Sequence, residues 1–333
     1  MKKYLLPQEG QFYKANLHCH STVSDGRWSP ERLKEEYMAR GYSVIAYTDH
    51  DVLIPHQDLT DGRFVALNGY EMEIDPEPSE GRRSKCCHIC LIALEPENIT
   101  QVCWHRSRYV FGNARAWRDK VCFREEEPDY VRSYSHEGIS DMMRQGREAG
   151  FFVTYNHPVW SLEDRRDYSG YEGMHAMEVC NWGCVVDGYD EYVPQVYDDL
   201  LRQGKRIYCV GTDDNHNAIE DSFGAFTVIR APELSYRAIT QALQDGHFYA
   251  SQGPEIHALW VEDGDVHIRC SEAWKIDCSF DIRAARCALS KEGEPLVEAS
   301  FPLPKDAAYV RLTVTDKNGR HANTNAYWLD QIL

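Results

Sequence analysis

The stretch HCHSTVSDGRWSPERL, residues 18–33, follows an apolar segment, 11–17, that has the pattern of a strand. In extended chain the side chains alternate between two faces, so His18 and His20 point the same way and can reach one metal ion. Cys19 then points to the opposite face, and we interpret it as a packing residue rather than a nucleophile. His18 and His20 are therefore candidates for two ligands of one metal ion.

Strand and helix patterns alternate over roughly the first 250 residues. Ser29 and Pro30 predict a helix N-cap and first helical position, and Gly41 predicts that helix's end. Further strands are predicted at 43–51, 63–71, 88–95, 151–158, 174–181, 206–211 and 223–231, and further helices at 138–149, 192–203 and 233–244. This alternation predicts an α/β fold with a parallel sheet, and the number of units suits a TIM-like barrel.

Two regions depart from the alternation. Residues 95–135 are rich in Arg, Trp and acidic side chains and predict an irregular insert that caps the site or contacts substrate. After Gly253 and Pro254 the helix patterns fade, and residues 309–314 alternate before an Asn318-Gly319 turn. We therefore expect a hydrolase domain over 1–252 and a small all-β domain over 253–333.

Bulk composition restricts the class of protein. The formal net charge is −17, without a basic stripe, so general nucleic-acid binding is not expected. The sequence has no apolar run near the roughly 20 residues of a membrane helix, and its N-terminus lacks a signal-peptide core. A cytoplasmic protein with reduced cysteines is the expectation. The group Cys86, Cys87, His88, Cys90 lacks a second ligand pair at zinc-finger spacing, which favours buried cysteines over a zinc knuckle.

Six histidines and several carboxylates are predicted to lie in the loops that follow predicted strands. The ends of parallel strands meet at one face of a barrel, so residues far apart in sequence can converge there. Imidazole and carboxylate groups bind divalent zinc, manganese or iron, and one carboxylate has enough lone pairs to bridge two ions. The candidate ligands are His18, His20, Asp25, His50, Glu71, His88, His157, Asp214 and His216.

In these motifs the sequence resembles the PHP (polymerase and histidinol phosphatase) superfamily. HCHSTVSDGRWSPERL is similar to its first motif, AYTDHD (46–51) to the second, NHP (156–158) to the third and TDDNH (212–216) to the fourth. The resemblance covers roughly residues 12–250, and residues 246–254 with the β-rich tail look like those of bacterial stand-alone phosphoesterases. It implies a distorted (β/α)7 barrel that holds two or three metal ions.

The resemblance also implies how the ligands divide among the ions. His18, His20, Glu71 and Asp214 would hold the first, Asp25, His50 and His216 the second, and Glu71, His88 and His157 the third. Asp25 stands where some members have histidine. Two choices stay open, Asp213 in place of Asp214 and Glu73 in place of Glu71, although the family's spacing favours Asp214 and Glu71.

The implied activity is hydrolysis of a phosphate monoester or diester of a small metabolite or nucleotide, by a hydroxide that bridges two metals. Hydrolysis of an amide or ester bond at the same site is the alternative, and a proofreading exonuclease or a non-catalytic binding module is less favoured. The expected partner is a small phosphorylated substrate, and the oligomeric state is open. Asp49 and Asp51 are candidates to orient the histidines. The candidates for substrate contact are Arg27, His56, Arg82, Arg83 and Arg124.

Overall fold

The computed structural model describes residues 2–76 and 85–333 and has an α/β fold. Its first ten strands are β1 Lys3–Tyr4, β2 Gln11–Asn16, β3 Tyr42–Tyr47, β4 Val65–Ile74, β5 Cys87–Ala93, β6 Phe151–Tyr155, β7 Ala176–Asn181, β8 Tyr208–Thr212, β9 Phe226–Ala231 and β10 Phe248–Ser251. The helices among them are α1 Pro30–Met38, α2 His136–Glu148, α3 Arg165–Tyr168, α4 Trp182–Val186, α5 Pro194–Arg202 and α6 Tyr236–Gln244, with short 3-10 helices at Gln57–Leu59 and Gly112–Lys120. The C-terminal elements are β11 Ile256–Glu262, β12 Asp265–Ala273, β13 Lys275–Phe280, β14 Arg286–Leu289, β15 Leu296–Pro302, β16 Tyr309–Thr315, β17 His321–Thr324, β18 Tyr327–Trp328 and α7 Leu329–Ile332.

The main sheet is mixed and has 14 strands. Thirteen of them follow the path β14-β13-β16-β17-β10-β9-β2-β3-β4-β5-β6-β7-β8, and β18 pairs with β16 off this path. The pairs β2/β3, β3/β4, β6/β7 and β7/β8 are parallel, as the alternation predicts. The pairs β4/β5, β5/β6 and β2/β9 are antiparallel. The α/β class is therefore confirmed, whereas a (β/α)7 barrel is not, because reversed strands interrupt the run of parallel units.

Strands β8 and β9, which are not neighbours in this path, approach each other through side chains. The Thr227 hydroxyl of β9 accepts from the Gly211 amide of β8 (3.2 Å) and donates to the Gly211 carbonyl (3.0 Å). The sheet thus curves until β8 lies beside β9, although no backbone ladder joins those two strands in the path described. This curvature brings the ends of β2, β3, β6 and β8 toward one another.

The predicted helices form within three residues of their expected bounds. Ser29 caps α1 by accepting from the Arg32 amide, and Pro30 occupies the first turn. One face of α1 is buried through Leu33 and Tyr37, which pack against β3 in a hydrophobic cluster. The sequence cap and the apolar spacing therefore fix where this helix starts and which side faces the sheet.

The C-terminal strands extend the main sheet and add a second one. β17 pairs with β10, and a four-stranded sheet of order β1-β11-β12-β15 packs on the other side of a shared apolar core. The predicted strand at 309–314 forms as β16, but both of its faces are buried. Its polar face is covered because Arg311 makes a two-pronged ion pair with Asp198 of α5 (2.6 and 2.7 Å). The boundary near residue 252 stays a prediction.

Residues 95–135 are mostly irregular, apart from the 3-10 helix at Gly112–Lys120. Arg132, near its end, pairs with Asp51 through buried side chains (2.5 Å) and donates to the Glu73 carbonyl (2.6 Å). Its guanidinium also lies over the ring of Tyr109, 4.2 Å from the centroid. The insert is thereby held against the loop that follows β3.

Two simpler features concern membranes and thiols. Among residues 2–76 and 85–333, the helices are too short or too polar to cross a bilayer. All twelve cysteines lie within those residues and are free.

Candidate metal centre

Four loops at the ends of strands carry most of the candidate ligands. His18 and His20 follow β2, His50 follows β3, His157 follows β6, and Asp214 with His216 follows β8. Backbone hydrogen bonds join these loops: the Asp214 amide donates to the His18 carbonyl (3.0 Å), and the His20 amide donates to the Asn215 carbonyl (3.2 Å). The curved sheet therefore brings together residues that are nearly 200 positions apart.

Glu71 and His88 differ from the predicted pattern because they lie within strands rather than in the loops after them. Glu71 is in β4, and His88 is near the start of β5. β5 runs antiparallel to β4, so its beginning, not its end, lies at the site, and His88 is the register partner of Glu73. The expectation of loop positions for these two residues is wrong, because β4 continues past Glu71 to Ile74 and β5 runs in the opposite direction.

The most compact group consists of His18, His20, Glu71 and Asp214, all buried. The two Nε2 atoms of the histidines are 3.1 Å apart, and each lies 3.0–3.2 Å from Glu71 Oε2 and Asp214 Oδ1. Ligand atoms around a tetrahedral zinc at about 2.0 Å stand about 3.3 Å from one another. The spacing in the protein is close to that value.

A second group lies toward solvent and consists of His20, Asp25, His50 and His216. Asp25 Oδ1 is 3.4 Å from His216 Nε2, and Asp25 Oδ2 is 3.9 Å from His50 Nε2. The Asp25 and His216 side chains are 39% and 31% exposed, which distinguishes them from the buried first group. The expected set Asp25, His50 and His216 is thus assembled at the open side of the site.

The remaining histidines surround the other oxygen of Glu71. Glu71 Oε1 lies 3.0 Å from His88 Nδ1 and 3.3 Å from His157 Nε2, while Oε2 lies 3.2 Å from His50 Nδ1. His50, Glu71 and His88 form one ligand group, and His157 also groups with His18 and Glu178. Glu71 therefore faces donors on both oxygens, the arrangement of a bridging carboxylate.

The nitrogen and oxygen atoms of this cluster are better arranged to bind a divalent metal than to hydrogen-bond one another. Four buried ligand atoms have no hydrogen-bond partner within the described residues: His50 Nδ1, Glu71 Oε2, His88 Nε2 and Asp214 Oδ1. Buried polar atoms without partners are costly, and clustered unpaired atoms indicate a group that satisfies them. The lone pairs of the facing Nε2 atoms of His18 and His20 would also repel without a shared proton or cation.

Three histidine rings have Nδ1 engaged elsewhere. His18 Nδ1 donates to Glu178 Oε1 (2.7 Å), His216 Nδ1 to the Asp214 carbonyl (3.1 Å), and His157 Nδ1 lies 3.2 Å from the Ser161 hydroxyl oxygen. In a neutral imidazole the other nitrogen then carries the lone pair. The Nε2 atoms that point into the cluster are accordingly the ones prepared to bind metal.

The electrostatics of the group agree with this assignment. Burial lowers the pKa of the His20 imidazole, but Asp214 and Glu71 outweigh it and raise that pKa to about 10. Burial and the neighbouring His20 lower the pKa of His50 to about 3. Since a metal ligand must be deprotonated, metal binding would displace a proton from His20.

Glu178, which sequence reasoning missed, is the central carboxylate behind the ligands. It lies in β7 and is buried, and its oxygens accept from His18 Nδ1 (2.7 Å), the Thr212 hydroxyl (2.6 Å), the His157 amide (3.0 Å) and the Asn181 side-chain amide (2.9 Å). Carboxylates in this position orient ligand histidines and raise their basicity. A buried Glu in the apolar strand AMEVCN was the signal available in the sequence.

Asp49 and Asp51, expected to orient histidines, instead hold loops. Asp49 accepts from the Ser21 amide (2.8 Å) and from the hydroxyls of Ser21 (2.8 Å) and Ser24 (2.7 Å), which fixes the loop that carries His20 and Asp25. Asp51 pairs with Arg132 of the insert. Within the part of the chain that the structure describes, neither carboxylate hydrogen-bonds an imidazole of the cluster.

The two open choices have distinct placements. Asp213 turns away from the cluster and accepts from the Tyr37 hydroxyl and the amides of Phe223, Gly224 and Ala225, at 2.8–3.1 Å. Glu73 lies at the margin, 3.9 Å from His88 Nε2, and burial raises its pKa to about 7. Asp214 and Glu71 are the members that enter the cluster.

Backbone strain is found at two of the ligands. His157 has φ of 26° and Asp214 has φ of 51°, both in the left-handed region that non-glycine residues rarely adopt. Such strain persists only where surrounding contacts hold it, and it occurs preferentially at functional sites.

The predicted substrate-contact residues that the structure describes differ in their distance from the cluster. Arg124 is exposed and pairs with Glu127 (2.9 Å), and His56 packs against Tyr47 with ring centroids 4.9 Å apart. Arg27 is exposed, and its backbone amide donates to the His216 carbonyl (2.8 Å), so it does lie at the mouth. Arg82 and Arg83 lie outside the described residues.

Two aromatic residues that the sequence did not single out border the ligands. Phe111, from the insert, has its ring centroid 5.4 Å from that of His50. The ring centroid of Trp160 lies 5.0 Å from that of His157 and 5.3 Å from that of His88. Phe111 thus brings the insert to the edge of the cluster, and the role of the insert as a cap or substrate loop stays a prediction.

Comparison with known proteins gives limited similarity. No family model matches the sequence. A 5'-3' exoribonuclease of Haemophilus influenzae is 50% identical over 40 residues, a match that spans 12% of this chain and only 15% of that protein. A two-domain protein of Bacteroides vulgatus with a PHP-like metal-dependent phosphoesterase is 16% identical over 98% of both chains, with a TM-score of 0.47.

Two further solved structures are similar over part of the chain. A metal-dependent phosphoesterase of Bifidobacterium adolescentis is 16% identical over 64% of this chain and 89% of its own, with a TM-score of 0.34. An amidohydrolase of Chromobacterium violaceum is 18% identical over 62% of this chain and 89% of its own, with a TM-score of 0.38.

Proposed function

We propose that the chain is a metal-dependent hydrolase that cleaves a phosphate ester of a small molecule. The observation that carries this proposal is Glu71, whose two oxygens face His18, His20 and His50 on one side and His88 and His157 on the other. Such a donor set suits two or three zinc, manganese or iron ions. Bound there, the ions would supply Lewis-acid activation of water and neutralise charge on the phosphoryl oxygens.

The protein's own residues divide the work by position. The buried set His18, His20, Glu71 and Asp214 would hold one ion, and the more exposed Asp25, His50 and His216 a second, beside solvent. His88 and His157 would complete a third group around Glu71. Glu178 keeps the His18 ring in one orientation, and Asp49 keeps the loop of His20 and Asp25 in place.

Charge favours a small substrate over a nucleic-acid chain. The formal net charge of −17 repels an extended phosphate backbone, whereas bound cations would make the site itself attractive to a single phosphate group. Elemental analysis would identify the metals, and a panel of phosphate esters would distinguish a monoesterase from a diesterase.

The test combines elemental analysis with a panel of phosphate monoesters, phosphate diesters, carboxylic esters and amides. We expect bound divalent metal, metal-dependent phosphate release, and loss of both in Glu71→Gln, because an amide nitrogen cannot ligate. Glu73→Gln is the matched control and should keep its metal, since Glu73 lies at the margin of the cluster. Turnover of amides alone would replace the phosphoesterase by an amidase, and a metal-free protein would refute both.

A further inference from the structure

A cavity of about 520 Å³ opens beside the residues assigned to the metal centre. Its walls include the rings of Trp28, Trp182 and Phe223 and the side chains of Arg40, Arg320 and Glu220. A volume in this range accommodates a small organic ligand. The metal-ligand clusters are not among its lining residues, so the cavity is additional to the site described above.

Two loops that carry candidate metal ligands, and the start of α4, continue directly into the cavity wall. Trp28 follows Arg27, whose amide donates to the His216 carbonyl (2.8 Å). Asn217, also in the wall, is the residue after His216. Trp182 follows Asn181, whose side-chain amide donates to Asp214 Oδ2 (3.1 Å). Because neighbouring Cα atoms are 3.8 Å apart, the cavity begins within a few ångströms of the partly exposed His216.

The aromatic walls are held firmly. A Cβ at Gly224 would lie 1.9 Å from the Trp182 ring, so only glycine allows this indole its position. The Phe223 ring packs on the Tyr37 ring with their centroids 4.6 Å apart, and the centroids of the Trp28 and Phe223 rings are 6.5 Å apart. Rigid aromatic faces stack on flat rings at little cost in conformational entropy.

The charge of the lining differs from that of the whole chain. Two arginines and one glutamate give a positive balance in a protein of net charge −17. Arg40 lies with its guanidinium 4.0 Å from the Phe223 ring centroid and also bonds Glu36 (3.0 Å). An arginine beside an aromatic face suits a ring that carries or adjoins an anion.

We propose that this cavity is a substrate-recognition subsite for a flat aromatic ring, covalently part of the ester whose phosphate lies at the metal centre. The inference rests on the proposed function and adds a substrate class to it: aromatic phosphate esters. The ring can belong to a nucleobase or to a simple aryl group, and the probes below separate these two sources.

The first test compares three phosphate esters: adenosine 5'-monophosphate, phenyl phosphate and ribose 5-phosphate, which lacks a ring of this kind. We expect kcat/KM to be higher for at least one of the two aromatic esters than for ribose 5-phosphate. Trp28→Ala should lower kcat/KM for the preferred aromatic ester about tenfold and reduce that preference. Trp28→Phe should restore most of it, which distinguishes loss of stacking from loss of folding.

Trp274→Ala is the matched control, because Trp274 is 52% exposed on the C-terminal sheet. It should leave the kinetics of all three esters unchanged. Preference for adenosine 5'-monophosphate alone identifies a nucleobase, and preference for phenyl phosphate identifies an aryl ring near the phosphate. Equal kcat/KM for all three esters, or an equal loss for all three in Trp28→Ala, would overturn the subsite.

A binding measurement separates this inference from the proposed function. Adenosine and phenol carry no phosphate, so their binding to the metal-stripped protein, followed by calorimetry and tryptophan fluorescence, reports the cavity alone. Binding that weakens about tenfold in Trp28→Ala supports the subsite even where no phosphate is released from any ester. Phosphate release together with no detectable binding of either compound would retain the hydrolase and refute the subsite.

Discussion

At the scale of single residues, the metal centre depends on carboxylates that do different tasks in one small volume. Glu71 faces five histidines, and Asp214 joins the two most buried of them. Glu178 lies behind them and meets only hydrogen-bond donors. The same chemical group is therefore a proposed ligand in one position and a positioning residue in another, according to what surrounds it.

Glu178→Gln tests the positioning role. Hydrogen-bond donors approach both oxygens of Glu178, the His18 imidazole on one side and the His157 backbone amide on the other. In the glutamine variant the side-chain NH2 group would therefore face one of these donors in either orientation. Metal affinity, or activity, should fall about 10-fold to 100-fold. Competition with a chelator measures the affinity, and the pH dependence of metal binding should change as the His18 imidazole loses its carboxylate partner.

The exposed Glu298→Gln on β15 is the control for that variant and should bind metal as the parent protein does. A Glu178→Gln protein with unchanged metal affinity and an unchanged pH profile would remove Glu178 from the site. A drop in thermal stability alone would mean that it serves the fold only.

At the scale of elements, the loop after β2 shows how a motif positions its ligands. Asp49 ties down Ser21 and Ser24, and the Gly26 amide donates to the Ser21 carbonyl (2.9 Å). A Cβ at Gly26 would lie 2.4 Å from the His20 carbonyl oxygen, so the chain can close this tightly only at glycine. The SDG sequence is thus required by the path of the backbone as well as by the carboxylate.

Gly26→Ala should force the loop open and displace Asp25 and His20. We expect loss of bound metal and a fall of about 1–3 kcal/mol in the free energy of unfolding, from overpacking. Gly62→Ala is the matched change, because a Cβ there meets nothing within 4 Å. Elemental analysis and urea unfolding compare the two, and equal metal content in both would contradict this account of the loop.

A second element-scale feature is Glu191, which joins two loops. Its buried carboxylate accepts from the Val159 (3.2 Å) and Trp160 (2.7 Å) amides, and burial raises its pKa from 4.5 to about 7. The folded state then binds a proton more tightly than the unfolded state. Stability should therefore fall as pH rises from 4.5 to 7, by roughly 3 kcal/mol for this group.

Glu191→Gln removes that titration and should flatten this part of the pH dependence. Urea unfolding in chelator at pH 4.5, 6 and 8 gives the slope for the parent and the variant. Glu298→Gln, exposed, should keep the parent's slope. If Glu191→Gln lost as much stability between pH 4.5 and 8 as the parent, the raised pKa would be wrong.

At the scale of the whole molecule, the C-terminal strands are attached to the α/β part by polar as well as apolar contacts. Arg311 of β16 and Asp198 of α5 form the buried two-pronged pair, and β17 continues the sheet through β10. The Asn325 side chain joins the same junction by accepting from the Cys209 amide (3.0 Å). The two predicted regions are therefore bonded across their boundary.

Arg311→Met should lower the free energy of unfolding by about 3–5 kcal/mol, because Asp198 is left buried without its partner. Adding Asp198→Leu should recover part of that loss, since the unpaired charge is then removed. Metal content should stay unchanged in both, as neither residue contacts the ligand cluster. Loss of metal in parallel with stability would show that the junction supports the site as well.

The α/β alternation, the helix caps and the histidines and carboxylates that cluster could be predicted from the sequence, because each depends on local spacing or side-chain chemistry. The reversal of β5, which places His88 at the start of its strand, could not, since strand direction is decided by long-range pairing. The same holds for Glu178 and for the cavity between Trp28, Trp182 and Phe223. The contacts of Glu178 and the walls of the cavity are formed by residues distant in sequence, which only the tertiary structure brings together.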